Sequence, residues 1–159
     1  MESVNVILVK NNHYPRNKDI KNLMKYIAGE TEEKEKVKYC GGKGIPKKQD
    51  KVADRMIAVQ KYFRKTNKRR IYHWIVSFPE QVKDVNCIKI IAENIVGLFF
   101  ENYQVYYGVH EDTDNLHIHL AVNAVSYVDG LKWHKSKKEF EVIRRRIKEE
   151  AETVLLELL

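Results

Sequence analysis

Residues 116–123 alternate between apolar side chains and a second set that is polar or small, and this alternation constrains the fold most. Side chains two residues apart lie on the same face of a β-strand. One face of the predicted strand carries Ile118, Leu120 and Val122, and the other carries His117, His119, Ala121 and Asn123. The first face belongs to a hydrophobic core. The second presents two imidazoles side by side, a spacing that can chelate one metal ion.

A third histidine, His110, ends the preceding predicted strand, residues 103–110. The polar connection at residues 111–115 is short and favours an antiparallel hairpin, which brings His110 beside the pair. Three histidine ligands leave coordination positions open for a substrate, as catalytic metal centres require. Asp112 and Asp114 in the connection either orient the imidazoles or only shape the turn. The alternative for the strand histidines is that they are merely exposed or hydrogen-bonded.

The rest of the chain predicts an α+β fold. Helices are predicted over residues 19–28, 50–65, 85–101 and 137–158, and further strands over residues 4–9 and 71–78. Residues 30–49 are charged and then glycine-rich, which predicts a long exposed loop. The order of elements indicates one mostly antiparallel central sheet of about five strands, with helices packed on it.

Composition bounds the class of protein. The chain has 159 residues, which is the usual length of about one domain. It has 29 Lys and Arg residues and 22 Asp and Glu residues, so its net charge is +7. The two cysteines exclude a disulfide-built scaffold and are typical of a reducing compartment, so we expect a cytoplasmic protein. The longest apolar run is far short of the roughly 20 residues that a spanning helix needs, so we expect no membrane insertion.

Positive charge is clustered in three segments of the chain. The candidate DNA-binding residues are Lys43, Lys47 and Lys48 in the first, Arg64, Lys68, Arg69 and Arg70 in the second, and Lys132, Trp133 and Lys135 in the third. Basic groups beside aromatic rings suit a groove for single-stranded nucleic acid. One such cluster alone is more often a solvated surface, but three clusters and a net positive charge favour nucleic acid as the partner.

Tyr26 is distinguished by its position on the first helix. The apolar stripe of that helix consists of Ile20, Leu23, Met24 and Ile27. At a helical spacing, Tyr26 falls roughly 110° from the centre of the stripe, so it is not a core residue of its own helix. It is either a surface tyrosine or one that presents its hydroxyl to a site. Tyr14 and Tyr39, both in predicted loops, are competing candidates.

Residues 108–123 resemble the metal-binding motif of the relaxase/mobilisation nuclease family. These are endonucleases of the His-hydrophobic-His superfamily that act in plasmid and conjugative-element transfer. The family pattern is a histidine, six residues, then His-x-His, with Asp-Thr and Asn inside and Val-Asn after, and each element is present here. Residues 72–78 resemble the middle strand of the family and residues 23–27 its tyrosine motif, so the resemblance covers most of the chain and implies a His-hydrophobic-His endonuclease fold.

The resemblance also implies an activity, that of a metal-dependent DNA relaxase. Such an enzyme nicks and rejoins one strand at a transfer origin through a 5′-phosphotyrosyl intermediate, which initiates conjugative transfer or mobilisation. Tyr26 would be the nucleophile, and Asp112 would orient a ligand histidine or accept a proton. The implied ligands of a divalent ion are His110, His117 and His119. The ions expected first are Mn²⁺ and Mg²⁺.

The resemblance extends to partners and to domain organisation. The expected partners are single-stranded transfer-origin DNA, accessory transfer proteins and a coupling protein. Residues 1–159 would form a single nuclease domain, the N-terminal part of a longer protein.

Four alternatives to this interpretation remain. Some relatives use a histidine nucleophile. A rolling-circle replication initiator or transposase of the same superfamily usually carries its tyrosine on a helix after the histidine motif, whereas the predicted helix at residues 137–158 contains none. A non-catalytic, metal-stabilised DNA-binding module would keep the metal without strand cleavage. A basic RNA-binding domain with incidental histidines would show neither metal dependence nor cleavage.

Overall fold

The structure is a computed structural model that describes residues 3–31, 36–112 and 115–159. Within these ranges five strands and four α-helices are present. The strands are β1 (Asn5–Leu8), β2 (Lys36–Lys43), β3 (Ile71–Ser77), β4 (Val105–Asp112) and β5 (Asn115–Asn123). The helices are α1 (Asn17–Ala28), α2 (Val52–Tyr62), α3 (Val85–Phe99) and α4 (Lys137–Leu158). A 3-10 turn, Gln49–Lys51, leads into α2.

The strands form one sheet in the order β1-β3-β5-β4-β2, and every neighbouring pair is antiparallel. This confirms the predicted α+β fold with an antiparallel central sheet. The strand that carries His117 and His119 is the middle strand, so both of its edges are hydrogen-bonded to neighbours. In the part of the chain that the structure describes, no helix is both long and apolar enough to cross a bilayer.

Helices cover both faces of the sheet. On one face α3 and α4 enclose the larger core, in which Trp74, Phe100 and Trp133 are buried. On the other face α1 and α2 pack over a smaller core that includes Met56 and Ala121. We name this second face the histidine face, because the side chains of the three predicted ligands lie on it by strand alternation.

Helix α1 begins and ends at well-defined signals. The backbone N–H of Arg16 donates to the Asp19 carboxylate at 3.0 Å, which closes a capping box. Gly29 ends the helix in the left-handed conformation, with φ of 80°, where residues other than glycine are strained. These limits place the last turn of α1 directly above the histidines.

The prediction of an exposed loop over residues 30–49 is wrong. Strand β2 occupies much of this segment and pairs with β4 at the edge of the sheet, while residues 32–35 lie outside the described ranges. A side chain at Gly41 would meet the Tyr107 hydroxyl at 2.6 Å, and one at Gly42 the Val105 carbonyl oxygen at 2.1 Å. The glycines therefore permit close packing on the sheet and do not mark a flexible loop.

The connection between β4 and β5 is shorter than the predicted residues 111–115. Strand β4 continues through Asp112, which pairs with Asn115 at the start of β5. Thr113 and Asp114 lie outside the described residues, so the prediction for Asp114 stays a prediction. The hairpin itself is confirmed.

Candidate active site

Three histidines converge on the histidine face. His110 on β4 lies directly opposite His117 on β5, and His119 follows two residues later on the same side. One ring nitrogen from each residue lies within 4.8 Å of those of the other two. All three side chains are buried, with exposed fractions of 1%, 8% and 4%. The arrangement fits a single divalent ion held by three imidazoles.

The hydrogen bond of His110 fixes which of its nitrogens can bind a metal. Its Nε2 lies 2.9 Å from the backbone carbonyl oxygen of Ile27, in the last turn of α1. A carbonyl oxygen only accepts hydrogen bonds, so Nε2 carries the proton and donates it. The lone pair of Nδ1 is therefore the one available to an ion.

Gly108 makes this contact possible. It lies on β4 two residues before His110, on the same face, and a Cβ there would be 2.6 Å from the Ile27 carbonyl oxygen and 3.0 Å from His110 Nε2. Any side chain at this position would push α1 away from the sheet. The glycine thus sets the height of α1 above the histidines.

A buried chain of hydrogen bonds holds His119. Its Nδ1 lies 2.9 Å from His73 Nε2, and His73 Nδ1 lies 2.9 Å from the Tyr14 hydroxyl. If Nε2 of His119 binds the metal, its Nδ1–H donates to Nε2 of His73. The proton of His73 is then on its Nδ1, which donates to the Tyr14 hydroxyl oxygen. Burial, with the nearby His110, lowers the pKa of His73 to about 4, so this imidazole is neutral and can accept.

Sequence reasoning missed the part played by His73 and Tyr14. The contact between His73 and His119 follows from the β3–β5 register, in which Ile75 pairs with His119, and no local pattern in the sequence indicates it. Tyr14, which competes with Tyr26 in the sequence, has its hydroxyl bound to His73. Burial raises the pKa of Tyr14 to about 12. Tyr14 also has a positive φ of 54°, which no residue pattern in the sequence predicts.

Tyr26 is the tyrosine that the fold brings to the histidines. Its hydroxyl lies 3.2 Å from His119 Nε2, and its ring centroid lies 5.3 Å from that of His110 and 5.0 Å from that of His119. The hydroxyl therefore lies next to the atom that would bind the ion. Tyr39, the remaining candidate, packs its ring against Tyr107 at 6.0 Å, within the larger core on the opposite face.

Asp112 lies at the exposed end of β4. By strand alternation its side chain is on the same side of the sheet as that of His110. The structure thus places a carboxylate at the open end of the histidine face, at the end of a strand and not in the predicted turn.

Three of the predicted DNA-binding residues are built into the fold. Lys43 Nζ donates to the carbonyl oxygens of Phe100, at 2.9 Å, and Glu101, just beyond the end of α3. Arg70 is 3% exposed and its Nε donates to Gln60 at 2.7 Å. Trp133 is 5% exposed and packs in the larger core. Each of these three side chains therefore makes contacts within the fold, and their role in DNA binding stays a prediction.

The other basic candidates remain at the surface. Lys47, Lys48, Arg64 and Lys68 are exposed, and Arg69, Lys132 and Lys135 are half-buried. Lys47 and Lys48 line a shallow surface depression beside α2. Lys68, Arg69, Lys132 and Lys135 line one common groove. The structure therefore separates the candidates into groups that the sequence could not distinguish.

Comparison with known proteins agrees with this geometry. The family model described as "Relaxase: MobA/VirD2-like, nuclease domain" matches residues 26–153. A Protein TraI of Escherichia coli is 32% identical over 114 residues, which cover 67% of this chain and 15% of that protein. Protein MobA of Acidithiobacillus ferrooxidans is 35% identical over 83 residues, 48% of this chain and 19% of that protein. The chain thus spans less than a fifth of the length of either relative.

A solved structure shares the fold. It comes from work on the molecular basis of vancomycin resistance transfer in Staphylococcus aureus, and it aligns with a TM-score of 0.55 at 18% identity, over 77% of this chain and 71% of that one. Since the family match includes Tyr26 and all three histidines, the residues that the fold brings together are within the matched segment. The chain belongs to the family of MobA/VirD2-like relaxase nuclease domains.

Proposed function

We propose that this domain nicks one DNA strand at a transfer origin and rejoins it, with Tyr26 as the nucleophile. The observation that carries the proposal is the position of the Tyr26 hydroxyl, 3.2 Å from His119 Nε2 within the histidine cluster. A tyrosine beside three buried imidazoles is an arrangement suited to attack on a phosphate. The membership of the relaxase family supports the same reaction class.

The reaction has a simple balance of bonds. Tyr26 Oη attacks the scissile phosphorus, the Oη–P bond forms, and the bond from phosphorus to the 3′ oxygen breaks. The products are a 5′-phosphotyrosyl link and a strand with a free 3′-hydroxyl, which takes up a proton. One phosphodiester replaces another, so a 3′-hydroxyl can reverse the step and rejoin the strand without a nucleotide cofactor.

The histidines would hold a divalent ion. Such an ion supplies Lewis-acid chemistry, in which it polarises the phosphate and stabilises the charge that develops there. An all-imidazole ligand set suits transition-metal ions better than Mg²⁺, which prefers oxygen ligands. The experiments below use Mn²⁺, because it is the transition-metal ion of the two that the sequence resemblance implies.

The phenol of Tyr26 must lose its proton for the attack. An ordinary tyrosine has a pKa of about 10, so at neutral pH it needs a base or a nearby positive charge. Asp112, at the open end of the same face, is the carboxylate proposed either to orient a ligand histidine or to accept a proton. Its role at the site is distinct from that of His73, which contacts His119 from within the core.

The proposed setting follows from the substrate. The ligand is single-stranded transfer-origin DNA in the cytoplasm, and the proposed partners in a full transfer complex are accessory transfer proteins and a coupling protein. The matched relatives are several times longer than this chain, so we propose that residues 1–159 act as the nuclease domain of a longer protein.

The test is the covalent adduct and its polarity. Single-stranded oligonucleotides that tile the transfer origin of the encoding element are labelled at either end and incubated with the protein and Mn²⁺. A protein–DNA adduct that survives denaturing electrophoresis should retain a 3′ label and lose a 5′ label. Tyr26→Phe should abolish the adduct, while Tyr62→Phe, which alters a tyrosine that is 80% exposed on α2, should not.

Two results would contradict the proposal. An adduct that persists in Tyr26→Phe would assign the nucleophile to another residue. Binding of the oligonucleotide without any adduct in the wild-type protein would identify a non-catalytic DNA-binding module.

A further inference from the structure

A second candidate binding site lies on the opposite face of the sheet from the histidines. It is a groove of about 920 Å³, bounded by β1, β3, the segment around Trp133 and the start of α4. Tyr72 and Trp74 of β3 contribute to its floor, whereas His73 between them points to the histidine face. The groove is therefore separate from the proposed cleavage site. We name it the basic groove.

The charge of the basic groove is almost entirely of one sign. Seven lysine and arginine residues line it, against one acidic residue, Glu141. Glu141 is already hydrogen-bonded to Arg144 of the next helical turn. The remaining cations include Lys10, Lys68, Lys135 and Lys137, which come from three separate segments of the chain. Such a concentration of like charge in a concave surface attracts a polyanion.

Two of the cations are fixed in position. Lys132 Nζ donates to the carbonyl oxygens of Asn67 and Arg69, at 2.7 and 3.0 Å. The Arg69 guanidinium contacts backbone carbonyl oxygens of the loop after β1 and lies 4.8 Å from the centroid of the Tyr72 ring. A lysine has three donors and an arginine five, so both keep donors for a ligand. Less side-chain entropy is then lost on binding.

Lys132 lies close to other positively charged side chains, which repel it. Burial first, and then the nearby charges of Lys68, Lys65 and Arg70, lower the pKa of Lys132. A bound anion would relieve this repulsion. The arrangement is thus typical of a surface shaped for a negatively charged ligand.

The floor of the groove distinguishes between kinds of nucleic acid. It is apolar, with the half-buried Leu8 and Phe140 next to the largely buried Tyr72 and Trp133. A duplex presents phosphates on its outside and keeps the faces of its bases stacked inside. Its bases would therefore make little contact with an apolar floor. A single strand presents phosphates together with unstacked bases, which matches a basic rim around apolar side chains.

From these observations we propose that the basic groove binds single-stranded DNA, as a second contact remote from the scissile phosphate. The proposal rests on the proposed function only for the choice of the substrate strand as ligand. The strand would be held on both faces of the sheet, with cleavage at the histidine face and anchoring at the other.

The test compares two double variants that remove the same charge. Lys135→Gln with Lys137→Gln alters the groove, and Lys138→Gln with Arg145→Gln alters neighbouring residues that do not line it. Binding of a fluorescent oligothymidine is followed by anisotropy across a salt series in EDTA. The groove variant should bind more weakly and lower the slope of log K against log salt by about 0.7 for each lost phosphate contact. The control should keep the wild-type slope.

A second groove variant guards against effects on folding. Lys10→Gln with Lys68→Gln alters other cations of the groove and should lower the slope in the same way, while thermal melting shows that each variant is folded. Equal slopes for the groove and control variants would overturn the proposal. The same titration is made with a duplex of the same length. If the groove variants weaken binding of the duplex alone, the assignment to a single strand would be wrong.

The two proposals fail in different ways. Tyr26→Phe should bind oligothymidine with the wild-type salt slope, because its hydroxyl lies on the other face. If no covalent adduct forms but the groove variants still lower the slope, the cleavage proposal alone is wrong. If the adduct forms and the slopes are equal, the groove proposal alone is wrong.

Discussion

His73 contacts one of the proposed metal ligands without being a proposed ligand itself. It is 6% exposed, and its two nitrogens contact His119 on one side and Tyr14 on the other. Partners of this kind fix the tautomer and ring orientation of a metal-binding histidine. The left-handed backbone of Tyr14 is unusual for a residue other than glycine, and the surrounding contacts must compensate for it.

Loss of His73 should therefore weaken metal binding although it is not a ligand. His73→Leu is expected to lower the affinity for Mn²⁺ by roughly 10- to 100-fold. His73→Gln, whose amide oxygen can accept from His119 Nδ1, should lose less. Isothermal titration calorimetry measures both, with His134→Leu as a control at an exposed histidine. Wild-type affinity in His73→Leu would show that the contact has no influence on the metal site.

The sequence was most informative about single residues where local periodicity decides their position. The alternation in β5 placed His117 and His119 on one face, and the helical stripe of α1 placed Tyr26 away from its core side. The structural places of Lys43, Arg70 and Trp133 could not be predicted, because each depends on contacts with a distant segment. Composition marks a basic or aromatic residue as a DNA contact, but only tertiary packing shows whether it is exposed.

At the scale of elements, the site depends on how closely α1 approaches the sheet. The contact between His110 and Ile27 joins the last turn of the helix to β4. Gly108 provides the space, and Gly29 ends the helix just beyond. Sequence reasoning found α1 but could not identify Gly108, because a glycine within a strand pattern does not reveal which element packs on it.

Substitution of Gly108 by a larger residue should push α1 away from β4. Gly108→Ala places a methyl group 2.6 Å from the Ile27 carbonyl oxygen, and overpacking of this kind typically costs about 1–3 kcal/mol of unfolding free energy. Metal affinity should fall as well, since the shift of α1 removes the hydrogen bond that orients His110. Chemical denaturation and calorimetry measure the two effects.

The matched control is Gly97→Ala. Gly97 lies within α3, and a Cβ there meets no atom within 4 Å. Alanine is the better helix former, so this variant should gain about 0.5–1 kcal/mol of stability without any change in metal affinity. A Gly108→Ala protein as stable as the wild type would contradict the proposed packing role.

At the scale of the whole molecule, the sheet carries one candidate site on each of its faces. One face holds the histidines beneath α1, and the opposite face carries the basic groove beside α4. The fold class and the hairpin were predicted from alternation and turn length. Strand β2 was missed because its glycines and charged residues lack a strand pattern, and its place is determined by pairing with β4. The division of the basic residues between surfaces required the complete fold.

If His110, His117 and His119 form one metal site beside Tyr26, a bound ion should stabilise the folded protein. Thermal melting of the wild-type protein and of His117→Ala, each in Mn²⁺ and in EDTA, tests it without knowledge of the DNA sequence. At an ion concentration of about 100 times Kd, binding should stabilise the native state by about 2.7 kcal/mol. This corresponds to a rise in Tm of roughly 5–10 °C for a domain of this length. We expect this rise in the wild type and its loss in His117→Ala. An equal rise in both proteins, or none in the wild type at millimolar ion, would contradict it.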